Sequence, residues 1–477
     1  MQERYIATAD LGSSKIAISV AKVTGEDIQI IYYKETPSDG IRYSCVYNPM
    51  RAQKALKEAI ALAEDELKIK ILQIVVGLPR HNVHQEVTSA KIDRSAPDSC
   101  ITQEEVDALK SMALENYPLD NVEKEEIYGA VAQSFSVDDL FQAGEADVVG
   151  TTSAVLEGNF KVFVGMKKSS SNIDVCLNGL GVAPAKKVFL PHATAGAVLT
   201  VEEKENGVAL IEMGAGVTSL TIYQGRIMRY YAAIPFGGKN ITYDIKYECG
   251  FNDSLAENIK QAFGACMPEK LLSMSEKIIQ INDDETGSYE HLPVKYLSEI
   301  ITSRTREIFT TILYLIQASG FAERLRSGVV LTGGGANLAN IAGLLKDMSG
   351  YNVRIGYPRR YFSAAGCPGI GESGAVSSVG MILQAARDPY LNCIEEAAPA
   401  AKAEEEVPAP VEVLGYEGSV FEDPTPAPAE TARPAKPKEP KRNRPSIGTI
   451  FFTKVKSKVD TIIDKDGGLF GMYDDMK

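Results

Sequence analysis

The sequence predicts an α/β protein built from two duplicated halves that face each other across a cleft. Two observations carry that expectation. A three-strand unit near the start returns about 200 residues later, and a buried strand late in the chain runs into three successive glycines. Repetition of one supersecondary unit is the mark of a duplicated domain. A third observation is a break in composition after residue 394, which ends the globular part and adds a disordered linker and a lone amphipathic helix.

The first unit reads as strands at 5–10, 15–23 and 28–33, joined by a small-residue turn and a Thr24–Asp27 turn. Alternating or continuous apolar runs bounded by Gly, Ser and Asp are the strand signal used. A helix over 50–67 and a buried-type strand at 71–77 follow. The second unit repeats the layout at 207–213, 217–223 and 226–234. Each first strand carries an acidic residue at or next to its end, Asp10 or Glu212, two positions before a glycine.

The turns carry chemistry as well as shape. Gly12, Ser13 and Ser14 in one, and Gly214, Ala215 and Gly216 in the other, let backbone N–H groups converge on an anion. Hydroxyls of Ser13, Ser14 and Thr218 add donors, and Lys15 adds a charge suited to phosphate. Asp10 and Glu212 could hold a hydrated Mg²⁺, which accepts one or two carboxylates and keeps its waters. Plain hairpin turns are the competing reading. The late strand 328–332 then enters Gly333, Gly334 and Gly335 before an expected helix, allowing close backbone approach to a ligand. It is not G-x-G-x-x-G, so a dinucleotide-binding start is not expected.

Composition narrows the function. The chain of 477 residues has 44% hydrophobic and 24% charged residues and a net charge of −13, which argues against nucleic acid as partner. No apolar run reaches the ~18 residues of a membrane span, and the first residues lack a signal-peptide pattern. Seven cysteines without a C-x-x-C read as reduced thiols. The scattered His81, His84, His192 and His291 read as structural or surface residues.

Residues 395–430 hold ten acidic residues and one lysine, a local charge of −9, and ten of the 23 prolines lie in 395–445. Such a stretch cannot bury enough apolar surface to offset its ordering entropy. Beyond it, Ile447, Ile450, Phe451, Val455, Val459, Ile462 and Ile463 recur at helical spacing, with Lys454 and Lys458 bordering the apolar face. A lone amphipathic helix on a tether suits an anionic membrane surface or a partner groove.

Three segments together resemble the motifs of the actin-like ATPase superfamily. Asp10-Leu-Gly-Ser-Ser-Lys is similar to its first phosphate motif, Glu212-Met-Gly-Ala-Gly-Val-Thr-Ser to its second, and Val330-Leu-Thr-Gly-Gly-Gly-Ala to its adenosine motif. Within the superfamily the resemblance is to the FtsA family of bacterial cell division. The segments 101–107, 128–156, 193–199, 207–211, 234–245, 257–260 and 304–308 and the tethered terminal helix carry it.

The resemblance implies an actin-like fold with two RNase H-like halves and an inserted small α+β domain. The expected divisions are 1–83 and 163–205 for half I, 84–162 for the inserted domain, 206–240 for half II, 241–310 for its outer subdomain, 311–393 for the rest of half II and a return to half I, 394–445 for the linker and 446–477 for the terminal helix. It implies ATP with Mg²⁺ in the cleft. Asp10, Gly12, Ser13, Ser14 and Lys15 would serve the first phosphate loop, and Gly214, Ala215, Gly216 and Thr218 the second. Glu212 would stand near the metal, Glu257 and Lys260 near ribose and adenine, and Gly333 to Gly335 along the adenosine pocket.

It also implies self-assembly into filaments, binding of the FtsZ C-terminal peptide, recruitment of later division proteins, and a peripheral place on the cytoplasmic face of the inner membrane at the division site. Arg304 and Arg306 suit an acidic peptide. Departures point to binding rather than turnover. Glu212 replaces Asp, Ala215 puts a Cβ where positive φ is expected, Val217 and Ser219 replace Thr and Asp, and Leu190 stands where brisk hydrolysers carry Glu or Gln. Weak or absent ATPase activity is therefore expected. A small-molecule kinase of the same superfold would need a carboxylate base that the sequence does not offer, and a chaperone-like ATPase would need a substrate domain after the ATPase.

Overall fold

The computed structural model describes residues 3–138, 140–282, 289–359 and 361–394. The expected linker from 395 and the terminal helix, with Ile447 to Ile463, lie outside the described residues.

Half I opens with an antiparallel meander, β1 (Glu3–Leu11), β2 (Lys15–Thr24) and β3 (Asp27–Pro37). A short hairpin follows, β4 (Ile41–Arg42) and β5 (Cys45–Val46). Helix α1 (Pro49–Leu67) starts where the Asn48 side chain accepts the Arg51 N–H and Pro49 needs no partner, and it stops at Lys68 in left-handed backbone. Strand β6 (Gln73–Gly77) then pairs parallel with β1.

The inserted domain is β7 (His84–Asp93), α2 (Gln103–Glu115), β8 (Glu125–Val137), β9 (Leu140–Ala143), α3 (Glu145–Val148) and β10 (Val155–Met166). Its sheet runs β7-β10-β8-β9, and Ile101, Val106, Leu109, Phe135, Leu156 and Phe160 form its own core. The chain returns through α4 (Lys167–Asn178), β11 (Ala183–Val188) and α5 (Leu190–Val198).

Half II repeats the plan. After α6 (Val201–Asn206) come β12 (Val208–Met213), β13 (Thr218–Gln224) and β14 (Ile227–Ile234). An outer subdomain follows, with α7 (Gly238–Cys249), α8 (Asp253–Phe263), β15 (Ile278–Asn282), β16 (Tyr289–Pro293) and α9 (Val294–Ala318). Strand β17 (Val329–Thr332), α10 (Ile341–Ser349) and β18 (Val353–Ile355) complete it, and α11 (Val376–Ala385) then crosses back to pack on β1, β2 and β6 of half I.

The two large sheets have the same order, β3-β2-β1-β6-β11 and β14-β13-β12-β17-β18. In each, the first three strands are antiparallel and the others parallel. The duplication read from the sequence is thus a duplication of whole sheets. Helices α5 and α11 cross where an ideal Cβ on Gly380 would lie 2.5 Å from the Ala193 carbonyl oxygen, so only glycine permits the contact. One apolar cluster joins the halves, with Ala17 of β2, Val330 of β17 and Val379 of α11 as members.

Several expected divisions move. Residues 162, 205, 240 and 310 fall inside β10, α6, α7 and α9. Divisions read from motifs mark the motifs, whereas the chain breaks at element ends. The glycine triplet also differs from expectation. It enters a 3-10 turn, Gly334–Asn337, and the α-helix begins only at Ile341.

Candidate functional site

The two hairpin tips meet. Gly12, Ser13 and Ser14 turn between β1 and β2, and Gly214, Ala215 and Gly216 turn between β12 and β13. An ideal Cβ on Gly216 would lie 2.9 Å from Ser13 Oγ and 3.1 Å from Ser13 Cβ, so the two tips touch here. Lys239 crosses from half II and donates to the Ser13 carbonyl oxygen at 2.6 Å. Ser13 Oγ accepts the Ser44 N–H at 3.0 Å.

Backbone donors remain at both tips. Among the described residues, the N–H groups of Gly12, Ser13, Ser14, Ala215 and Gly216 have no acceptor within the chain. Other backbone groups of the second tip are engaged. Gly214 N–H donates to the Val217 carbonyl oxygen, and the Gly214 and Ala215 carbonyls accept Gly238 and Lys239 at the start of α7. Free backbone donors on two facing tips are what an anion such as a polyphosphate needs.

The expected strain at Ala215 is absent. Neither it nor its glycine neighbours adopt positive φ, so the Cβ is carried without cost. Thr218 also departs from expectation. Its side chain is fully buried and its hydroxyl donates to the Phe236 carbonyl oxygen at 2.8 Å, bracing the turn into α7 rather than facing the cleft.

Lys15 is already paired. Its Nζ lies 2.5 Å from Glu35 Oε1, which also accepts the Tyr33 hydroxyl. Burial and Glu35 push the Tyr33 phenol well above its ordinary range, so it remains a donor. The Lys15 amine also lies 3.1 Å from an ideal Cβ on Gly374. A cavity of about 720 Å³ opens here, lined by Lys15, Tyr33, Glu35, Gly334, Asn337 and Gly374 among others. It therefore sits between the first tip and the glycine triplet, to one side of the second tip.

Gly333 has φ +90°, and an ideal Cβ there would meet the Met213 carbonyl oxygen at 2.5 Å. The triplet thus packs directly on the end of β12. Ser373 closes it by donating to the Gly333 carbonyl oxygen at 3.0 Å. Glu257 and Lys260 lie three residues apart on α8. Lys260 Nζ donates to Glu257 Oε2 at 2.8 Å, to Thr242 Oγ1 at 2.8 Å and to the Gly238 carbonyl oxygen at 3.0 Å. Burial works against the Glu257 charge, but Lys260 outweighs it and holds the carboxyl below its ordinary range.

The Mg²⁺ expectation meets a difficulty at Glu212. This carboxylate is 8% exposed, and its Oε1 accepts Arg80 Nη2 at 2.7 Å and Ser377 Oγ at 2.9 Å. Arg80 Nη2 also bonds Ser377 Oγ at 2.6 Å. Burial opposes the guanidinium charge, but Glu212 and Asp10 outweigh it and raise its hold on the proton. Drawing one partner out of such a buried pair costs about 3–5 kcal/mol. A cation shared by Asp10 and Glu212 therefore does not fit the residues present. Among the described residues no cluster of three or more His, Cys, Asp or Glu side chains could hold a metal ion.

Arg304 is likewise engaged. It makes a two-pronged ion pair with Asp244, at 2.6 and 2.9 Å, and reaches Glu307 at 2.6 Å, stitching α9 to α7. Arg306 is exposed on α9. Leu190 is the first residue of α5 and fills the space beside Gly77, 2.4 Å from an ideal Cβ there. It brings no polar atom to the cleft.

Sequence reasoning missed Arg80, Lys239, Ser373 and Ser377. Two signals were available. Arg80 follows the buried strand β6 after Leu78 and Pro79, and Lys239 follows Gly237 and Gly238 between a strand and a helix. The serines carried none.

Fold and site together define an actin-like protein, two duplicated α/β halves closing on a pair of facing hairpin tips. A protein of the PilM–PilN type IV pilus biogenesis complex shares the fold, with a TM-score of 0.54 at 16% identity over 80% of this chain and 98% of its own. The family model described as "Cell division protein FtsA" matches residues 209–378. The cell division protein FtsA of Neisseria meningitidis serogroup B is 30% identical over 75% of this chain and 85% of its own length. That of Borreliella burgdorferi is 31% identical over 75% and 86%. The chain belongs to the FtsA family of cell division proteins. Among the described residues no helix is long and apolar enough to cross a membrane.

Proposed function

We propose that the chain is an ATP-binding, membrane-tethered scaffold of cell division. It polymerises, holds FtsZ through the FtsZ C-terminal peptide, and gathers later division proteins at the cytoplasmic face of the inner membrane. The observation that carries the nucleotide reading is the pair of facing tips with unpartnered backbone donors, flanked by Lys15 and Lys239. Phosphates enter between the tips, and the base lies toward the glycine triplet. Leu190 supports binding with little turnover, because its side chain offers no polar atom to orient water. For the peptide, exposed Arg306 is the first contact, since Arg304 is committed to Asp244. The amphipathic pattern of 446–463 supports the lipid tether.

Co-sedimentation with anionic liposomes, with and without ATP, tests the scaffold. Full-length protein is expected to pellet with lipid, and a chain stopped at Arg444 to stay in solution. Equal behaviour of the two chains overturns the tether.

A further inference from the structure

We propose that Arg80 is a resident cation that withholds Glu212 from any metal. Nucleotide then binds this chain with little dependence on Mg²⁺. The inference rests on the nucleotide reading above and concerns how that site is neutralised.

The duplication shows where Arg80 comes from. Strand β6 pairs parallel with β1 just as β17 pairs parallel with β12. The residues after β6, Leu78, Pro79 and Arg80, are therefore the half-I counterpart of the glycine triplet after β17. In half II that place is held by glycines packed on the end of β12. In half I it holds a guanidinium, 8% exposed, aimed at the acidic end of β12.

Each contact favours a permanent occupant. Arginine stays protonated at every accessible pH. Its Nη2 joins Glu212 of half II to Ser377 in the first turn of α11. Its own carbonyl oxygen accepts the Tyr231 hydroxyl at 2.5 Å, fixing its backbone against β14. Its Nε–H is buried without a partner, so the side chain is not simply a saturated core residue. Asp10 and Glu212, which a shared metal would bridge, instead share the field of one fixed charge. Mg²⁺ dehydrates reluctantly and gains little by competing for a carboxylate that is already neutralised. A Mg²⁺ that travels with the nucleotide meets Asp10 alone.

The test is ATP affinity of the full-length chain in Mg²⁺ and in EDTA, by calorimetry, with thermal melting as the control for folding. The wild-type dissociation constant is expected to change less than about five-fold between the two. Arg80→Met frees Glu212 and is expected to create a dependence of about ten-fold or more. Adding Glu212→Gln to Arg80→Met is expected to remove it again. A wild-type dependence beyond about five-fold overturns the inference, as does an Arg80→Met chain that folds and shows no new dependence. If Arg80→Met does not fold, the wild-type ratio decides alone. Absence of ATP binding in both buffers is a different failure, since it removes the nucleotide reading and this inference with it.

Discussion

At the scale of single residues, the site is held by pairs that the sequence does not announce. Lys15 is the residue best suited to phosphate, yet it rests on Glu35, with side chains 30% and 41% exposed. Such a pair is weak and screened by salt. Glu35→Gln is therefore expected to tighten ATP binding by about two- to five-fold at low ionic strength. The gain should shrink in high salt, and Lys15→Ala should loosen binding in either case. Unchanged affinity in Glu35→Gln would place Lys15 outside the phosphate site. Residue types and spacing made Asp10, the two small-residue tips and the glycine triplet legible. They could not reveal that Glu212 already has a cation, because Arg80 lies 132 positions away. Nor could they reveal that Ala215 is unstrained, because its backbone angle depends on how α7 docks on the turn.

At the scale of elements, legibility follows local chemistry. The cap of helix α2 is local, with Thr102 and Glu105 bonding each other reciprocally. The partner of that cap was not visible. Arg94, 8% exposed, binds Glu105 at 2.8 and 3.1 Å and also donates to the Ser153 and Ser99 carbonyl oxygens at 2.8 and 3.0 Å. One side chain thus ties the end of β7 to the start of α2 and to the approach to β10. Arg94→Met leaves several of these acceptors unpaired and is expected to destabilise the inserted domain by about 3 kcal/mol. Hydrogen exchange should quicken over 84–166 while β12 and β17 keep their protection. Uniform loss of protection would mean that the inserted domain and the halves unfold as one unit. The expected divisions at 162 and 310 failed for a related reason. Packing carries β10 and α9 past them without a break.

At the scale of the whole molecule, the duplicated sheets make the tips a gate. The halves are joined by α5 against α11 and by a common apolar cluster, and they touch again where Ser13 meets Gly216. The inserted domain adds a third contact. Gln133 Nε2 donates to the Met228 carbonyl oxygen at 3.0 Å, and Arg229 donates back to the Gln133 carbonyl oxygen at 3.0 Å. On the proposed nucleotide reading, phosphates enter between the tips only if these part, which breaks the Lys239 bond to Ser13. A cross-link tests this directly. An ideal Cβ on Gly216 stands 3.1 Å from Ser13 Cβ, and a disulfide needs about 3.8 Å, so a small outward shift admits one. The double substitution Ser13→Cys and Gly216→Cys is expected to bind ATP when reduced and to lose at least ten-fold in affinity when oxidised, about 1.4 kcal/mol or more. Dithiothreitol should restore it. No native thiol lies in either tip, and wild type treated in parallel controls for exposed Cys100 and half-buried Cys45 and Cys249. An oxidised chain that binds as tightly as the reduced one would mean that nucleotide does not pass between the tips. The phosphate site would then lie in the cavity beside Lys15 alone.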